Sequence, residues 1–543
     1  MRRVPTYAAL VAACMIVTAG CSGNATNNSG TGGSGSDNNA VLTPKPSGDV
    51  DKVVWNLPYG EPSSVDWTKA YSYSENTVGA NLCEGLYRLT PDFKVVPALA
   101  ESTSNPDPTT YVYKIRQGVT FWDGSPLTAD DVVYSLNRHL DPAVSSLWGT
   151  YYDKVESIAK TAPDQVTVKL KEPDVMFDRW LATPAGTIGR ADFIKAAGEK
   201  FGTADGGLMC TGPFKLQSWV GGKSITMTRN DAYWDQAHRA KAKTFEFSFV
   251  VDEAAATNAL QAGEIDGTYD VPLSGLPQLR TGGAGSLWYG KTQATLSLLP
   301  TEKKSPLQDP KIRQALRLAI DYKGIVQQIY KGTASPLRAY VGPGTWGYAP
   351  DVYTAAYKAL TEPHTDLDAA RKLVQDAGAP KDEIVIAAVS DFPLYAQLAT
   401  VVQDAGKKIG LNVRLQGFPT STYTTFFFEK DARNQVDAFF TTNYTDIPEP
   451  LQMYRGFRPG DFYNYDGYDN PEVTKKLDEA LRTTDDTARA RLVTEAQARI
   501  TTDSAVLPIV EPANRLFMSK RITGAPASFV YLYYPWAADV GAR

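Results

Sequence analysis

The chain is 543 residues long, with 55 basic and 60 acidic residues and a formal net charge of −5. That balance gives no basic footprint for nucleic acid. Roughly 490 residues follow the leader and linker, more than one simple core holds, so several domains are expected. The 29 tyrosines and 10 tryptophans serve cores first, and they also suit stacking against a ligand.

Met1-Arg2-Arg3 is a basic n-region, and Ala8 to Ala19 is an apolar run too short to span a bilayer comfortably. Thr18-Ala19-Gly20-Cys21 resembles a bacterial lipobox, with Thr18 where Leu is usual. Residues 1–21 are therefore expected to be a lipoprotein signal ending at an acylated Cys21. The alternative is an ordinary secretory signal cut near Ala19, and both readings export the protein. Residues 22–50 are rich in Ser, Gly, Asn and Thr and are read as a flexible tether.

From Val53 onward, strand-like runs at 53–57, 166–170, 214–219, 225–229, 244–250, 383–389 and 436–441 alternate with helices, an α/β pattern. Cys14 leaves with the signal. Cys83 and Cys210 then remain as an even pair in an oxidising compartment, where a disulfide is the usual outcome. The most informative stretch is Tyr111 to Pro142. Tyr111, Tyr113 and Ile115 alternate with Val112, Lys114 and Arg116 as in a strand. Asp123-Gly124 makes a turn, and Thr128 reads as the N-cap of a helix with Asp130 and Asp131 in its first turn. Val132, Val133, Leu136 and Leu140 supply its apolar face, and Asp141-Pro142 should stop it.

Arg116, Gly118, Val119, Phe121, Asp123, Gly124, Pro126, Thr128, Ala129, Asp131 and Val132 also fall on a pattern that resembles the signature of the family 5 extracellular solute-binding proteins. These are the peptide-, nickel- and sugar-binding receptors of ABC importers. Further blocks resemble the same family: Cys210-Thr211-Gly212-Pro213-Phe214 with Trp219, Arg229-Asn230 and Tyr233-Trp234; Leu260 to Asp266; Pro306 to Asp321; Asp368 to Gly378; and Gln403 to Leu415.

The resemblance implies an α/β fold, a two-lobed clamp like the periplasmic binding proteins, with an extra α/β domain in lobe one. By matched blocks, lobe one comprises 51–82, 210–304 and 508–543, the extra domain 83–209, and lobe two 305–507. The ligand would lie in the inter-lobe cleft. In the peptide-binding members, the segment corresponding to Phe439 to Pro450 pairs with the ligand as an added strand, and its Asp takes the α-ammonium. That implies roles for Thr442, Asn443, Tyr444, Thr445 and Asp446, with Asn443 standing where Trp is usual. The opposing lobe would supply Glu61, Pro62 and Ser63. Trp346 and Arg433 complete the candidate set, Arg433 as a partner for a ligand carboxylate.

The expected protein is a monomeric receptor without catalytic activity, cofactor or metal. It would capture short peptides and deliver them to an ABC permease from a lipid anchor outside the cytoplasm. An oligosaccharide ligand is the alternative; nickel chelates and haem are disfavoured by the lack of a His pair or Met cluster. An exported hydrolase would need an H-E-x-x-H helix, a nucleophile elbow or convergent histidines. His139, His238 and His364 lie far apart in the chain instead. A purely structural surface lipoprotein does not account for the matched motifs.

Overall fold

The structure, a computed structural model, describes residues 37–39, 41–390 and 392–543. The leader and Cys21 lie outside the described residues. Local chemistry explains the signature segment. Strand Thr110–Ile115 buries Tyr111, Tyr113 and Ile115 on one face. Asp123 accepts from Ser125 N at 3.0 Å, and Gly124 takes φ +88° in the turn. Helix Ala129–Asn137 begins in a capping box, with Asp131 N donating to the Thr128 hydroxyl and Asp131 accepting from Thr128 N. The helix stops short of Asp141. Arg138 and His139 turn toward Asp66 and Ser146, and Leu140, expected on the apolar face, is exposed.

Three principal sheets organise the molecule. The first has eight strands in the order Asp37–Asn39, Gly285–Gly290, Asn514–Ser519, Gly267–Tyr269, Val50–Asn56, Ala242–Ser248, Ser224–Arg229 and Phe214–Val220. The second has six: Ala334–Pro336, Leu507–Pro512, Ala294–Pro300, Ala438–Tyr444, Glu383–Val389 and Asn412–Phe418. Its parallel pair Glu383–Val389 and Asn412–Phe418 is joined by helix Pro393–Lys408, the strand–helix–strand crossover that parallel pairing requires. A four-stranded antiparallel sheet, Ala100–Asp107, Thr110–Ile115, Gln165–Leu170 and Val155–Ala162, forms the inserted domain. A disulfide joins Cys83 to Cys210 (Cα–Cα 5.0 Å), where the chain enters and leaves that insertion.

Two expectations about boundaries need correction. The chain passes between the first and second sheets at residues 291–293 and again at Ala513, not at 304–305 and 507–508. Ala294–Pro300 and Leu507–Pro512 pair with each other inside the second sheet. Both are apolar strands lying outside the blocks that resemble the family, which is why the motif boundaries missed them. Nor is the whole of 22–50 a tether. Asp37–Asn39 pairs in parallel with Gly285–Gly290. Thr43 donates to Ala525 O at 2.9 Å, Thr523 to Pro44 O at 2.8 Å, and Ser47 N to Ala542 O at 2.8 Å. Main-chain groups are bonded there to the far end of the chain, a pairing that polar composition does not reveal.

Candidate ligand-binding cleft

Strand Ala438–Tyr444 runs into the space between the lobes. One side pairs along its whole length with Ala294–Pro300. On the other side only Ala438 meets a neighbouring strand, at Ile386, before that strand diverges. Antiparallel alternation turns the main-chain groups of Phe440, Thr442 and Tyr444 to this open side. Tyrosine hydroxyls serve the first two. Phe440 N donates to Tyr423 Oη at 2.7 Å, Tyr423 donates back to Phe440 O at 2.8 Å, and Thr442 N donates to Tyr395 Oη at 2.8 Å. At Tyr444 no such side chain intervenes among the described residues, so its N–H and C=O stand on an open strand edge.

Two residues further on, Asp446 is 2% exposed. Its Oδ1 accepts from the Tyr533 hydroxyl at 2.7 Å; its Oδ2 accepts from the Tyr151 hydroxyl and Gln452 Nε2, each at 2.7 Å. These donors come from the C-terminal segment, the inserted domain and the second lobe, and all are neutral. A carboxylate offers about four acceptor positions, so room for one more donor remains on Oδ1. No Lys, Arg or His among the described residues forms an ion pair with it. Burial pushes its pKa up, opposed by the three hydrogen bonds and the more distant Arg455 charge. Such a carboxylate is stabilised by an arriving cation. Tyr71 and Tyr463, 41% and 44% exposed, line the space within reach of its charge.

The first lobe builds the facing wall from tyrosine. Tyr73 opens helix Tyr73–Leu82, and its ring lies 4.8 Å from Tyr59, 5.7 Å from Tyr444 and 5.9 Å from Phe529. Glu75 fixes this corner: it accepts from Ser72 N at 2.8 Å and Tyr71 N at 3.1 Å through one oxygen, and from the Ser63 hydroxyl at 2.7 Å through the other. Further contacts hold the lobes together beside the cleft. Arg179 of the inserted domain reaches Asp486 at 3.2 Å and lies 4.0 Å from Glu449, and Val175 N donates to Leu481 O at 3.3 Å.

The structure therefore gathers some of the residues singled out from the sequence and not others. Asp446 and Tyr444 meet the opposite lobe. Thr442 is held by Tyr395, Asn443 donates to Tyr340 Oη at 2.7 Å, and Thr445 is buried against Gln293. Glu61, Pro62 and Ser63 are not brought to Asp446. Glu61 instead accepts from Trp219 Nε1 at 2.6 Å and Gly222 N at 2.7 Å, tying its loop to the hairpin of the first sheet, and Ser63 is used by Glu75. Trp346 packs on Tyr353 and Tyr357 within lobe two. Arg433 is buried, donates to Phe426 O at 2.9 Å and covers the Tyr465 ring, so it supports the second lobe. Sequence reading missed Tyr71, Tyr73, Tyr151 and Tyr533. The only local signal was the repeated Tyr-x-Tyr spacing at Tyr71/Tyr73 and Tyr531/Tyr533.

Among the described residues no group of three or more His, Cys, Asp or Glu is arranged to hold a metal ion, and no helix is long and apolar enough to cross a membrane. Residues 94–464 match the bacterial extracellular solute-binding proteins, family 5 Middle. The periplasmic oligopeptide-binding protein OppA of Salmonella typhimurium is 27% identical over 493 residues, covering 86% of this chain and 88% of that one. Among solved structures, the ABC transporter substrate-binding protein CtaP of Listeria monocytogenes superposes with a TM-score of 0.80 at 21% identity, over 91% of this chain and 99% of that one. The oligopeptide-binding protein AppA of Bacillus subtilis, in complex with a nonapeptide, superposes with a TM-score of 0.74 at 22% identity, over 92% and 100%. These likenesses establish the two-lobed α/β binding-protein fold.

Proposed function

This chain belongs to the family 5 bacterial extracellular solute-binding proteins, and we propose that it is the receptor of an ABC importer for short peptides with a free amino terminus. The family is one of binding proteins, not of enzymes. The observation that carries the ligand assignment is Asp446, a buried carboxylate held by three neutral donors with one acceptor position left. An α-ammonium would supply the missing charge through a short charge-assisted bond. The open edge at Tyr444 would pair with the main chain of an extended ligand, giving affinity that does not depend on side chains. Both relatives named above as oligopeptide-binding support the reading.

In this reading the lobes close by bending at residues 291–293 and Ala513, the two places where the chain crosses between sheets. Acylated Cys21 would hold the receptor at the membrane beside its permease, and the receptor would act as a monomer. An oligosaccharide ligand has one observation in its favour: Tyr59, Tyr71, Phe462 and Tyr463 expose ring faces of the kind that stack on sugars. Native mass spectrometry of the exported protein, followed by denaturation, separates the two. A heterogeneous ladder of peptide masses is expected; a hexose-spaced series would replace the peptide reading.

A further inference from the structure

The inserted domain is joined to the two lobes in unequal ways. Toward lobe one its bonds are covalent or deeply buried. They are the Cys83–Cys210 disulfide, the fork of Arg138 on Asp66, and Glu84, which accepts from the Tyr233 hydroxyl at 2.7 Å and Trp234 Nε1 at 2.9 Å. Toward lobe two it presents Tyr151 and the stretch from Val175 to Trp180. Asp178, Arg179 and Trp180 are consecutive in the single turn of helix Phe177–Trp180 and serve three different partners. Asp178 accepts from the Tyr113 hydroxyl at 3.0 Å, which fixes the turn to the domain's own sheet. Trp180 stacks on Tyr151 with ring centroids 4.2 Å apart, and Tyr151 donates to Asp446 at 2.7 Å. Arg179 crosses to lobe two.

Lobe two holds a nest built to receive it. Glu449, fully buried, accepts from the Tyr348 hydroxyl at 2.7 Å and Leu451 N at 3.1 Å through Oε1, and Arg489 Nε lies 3.4 Å from its Oε2. Oε2 accepts no hydrogen bond among the described residues, and Arg179 Nη1 approaches this same oxygen to 4.0 Å. The Tyr348 ring takes both guanidiniums, Arg489 at 4.1 Å and Arg179 at 5.0 Å. Arg179 Nη2 also reaches Asp486 at 3.2 Å. One cation of the nest, Arg489, is lobe two's own; the other arrives with the inserted domain. Glu449 stands three residues after Asp446, and Gln452, which holds Asp446, donates its N–H to Glu449 O at 3.1 Å. The inserted domain therefore grips one loop at two points, through Tyr151 at Asp446 and through Arg179 at Glu449.

We propose that Arg179 is the latch of the closed receptor, a positioning residue that docks the inserted domain on lobe two and carries Tyr151 onto Asp446. The proposal rests on the reading of a cleft that closes by bending between the lobes. The latch joins protein to protein, so it favours the closed arrangement by the same factor for every ligand, and in the empty receptor as well. Its guanidinium is 22% exposed and the Glu449 side chain 0%, so salt screens this contact less than it screens an exposed ion pair.

The experiment compares the unmutated protein with Arg179→Ala and Arg179→Lys by two readouts. Calorimetric titration with trialanine and with N-acetyl-trialanine should show Arg179→Ala weakening both by one factor, about tenfold, most of it persisting in about 0.5 M salt. Arg179→Lys keeps the charge without the planar stack and should recover part of the loss. The second readout is the distance between spin labels at Ala159→Cys on the inserted domain and Lys475→Cys on lobe two, both exposed positions. In the empty protein Arg179→Ala should lengthen that distance. A loss confined to trialanine would make Arg179 part of the ammonium site and overturn the latch. Unchanged affinity for both peptides, or an unchanged label distance, would overturn it as well. If neither peptide binds the unmutated protein, the peptide reading falls and the label distance still decides the latch.

Discussion

Asp66 and Asp446 are both carboxylates at domain junctions, both almost fully buried, and they are treated in opposite ways. Asp66 sits between the first lobe and the inserted domain. Arg138 donates to both of its oxygens, at 2.9 and 2.6 Å, and Thr68 N and Oγ1 add bonds at 3.0 and 2.9 Å. The charge is compensated within the fold, and Arg138 also covers the rings of Trp67 and Phe201. Asp446 sits where the second lobe meets the other two parts, and receives only hydroxyl and amide donors. A fork of Arg on Asp fixes two domains as one body. A buried carboxylate with neutral donors and a spare acceptor position is stable enough to persist and gains most when a cation arrives. Burial alone therefore does not mark a ligand site, and in the proposed reading it is the lack of a counter-charge where the lobes meet that makes Asp446 the candidate.

Breaking the paired side should have the largest effect. Arg138→Ala leaves Asp66 buried and uncompensated, and we expect a loss of about 3–5 kcal/mol of stability in chemical denaturation. A loss under 1 kcal/mol would mean that water reaches Asp66 and that the junction is looser than the bidentate geometry indicates. On the unpaired side, Asp446→Asn keeps a side chain that accepts from Tyr533 and Tyr151. It should leave the melting of the empty protein unchanged or slightly raised, while weakening a free-amine peptide by about 1.5–3 kcal/mol, the range for hydrogen bonds to charged groups. Destabilisation of the empty protein without loss of affinity would assign Asp446 a structural role like that of Asp66.

The corner next to Asp66 also makes a pH prediction. His139 is buried, stacked on Tyr152 and bonded to Ser146, and burial together with the Arg138 charge lowers its pKa to about 3. A histidine whose folded pKa lies below its unfolded value near 6.5 contributes full stability above that unfolded pKa. The contribution is lost as pH falls from about 6.5 toward 3, because the unfolded chain binds the proton first. At pH 5.5 the expected loss is about 1.4 kcal/mol, and His139→Gln should remove that part of the pH dependence. An unchanged pH profile in the variant would place the imidazole in contact with water. The smallest effect belongs to the inter-lobe pair Arg179–Asp486, whose Asp side chain is half exposed. Asp486→Asn should weaken ligand binding no more than a few-fold, and 0.5 M salt should erase the difference from the unmutated protein.

The α/β class, the two-lobed fold and the family were legible in the sequence because each is carried by local pattern. Strand alternation at Tyr111–Ile115 and the Thr128 cap are decided by neighbours within a few residues, and the spacing of the signature blocks gives the family. The wall opposite Asp446 was not legible. Tyr73, Tyr151 and Tyr533 converge from three separate segments, and each on its own reads as an ordinary core tyrosine. Glu61 and Ser63 show the complementary effect. Their loop resembles a ligand-facing one, but their carboxylate and hydroxyl are taken by Trp219, Gly222 and Glu75, which only the fold brings near. Residues 41–50 looked like linker by composition, yet pair with the C-terminal segment.

The central claim is that the uncompensated carboxylate of Asp446 receives a ligand ammonium. The measurement that meets it most directly is isothermal titration of the unmutated protein with a tripeptide and with the same tripeptide N-acetylated, at neutral pH. Acetylation removes the charge and leaves the main-chain groups that would face Tyr444. We expect it to weaken binding by at least about tenfold, in line with the loss of one charge-assisted bond. Equal affinity of the two peptides would contradict the claim.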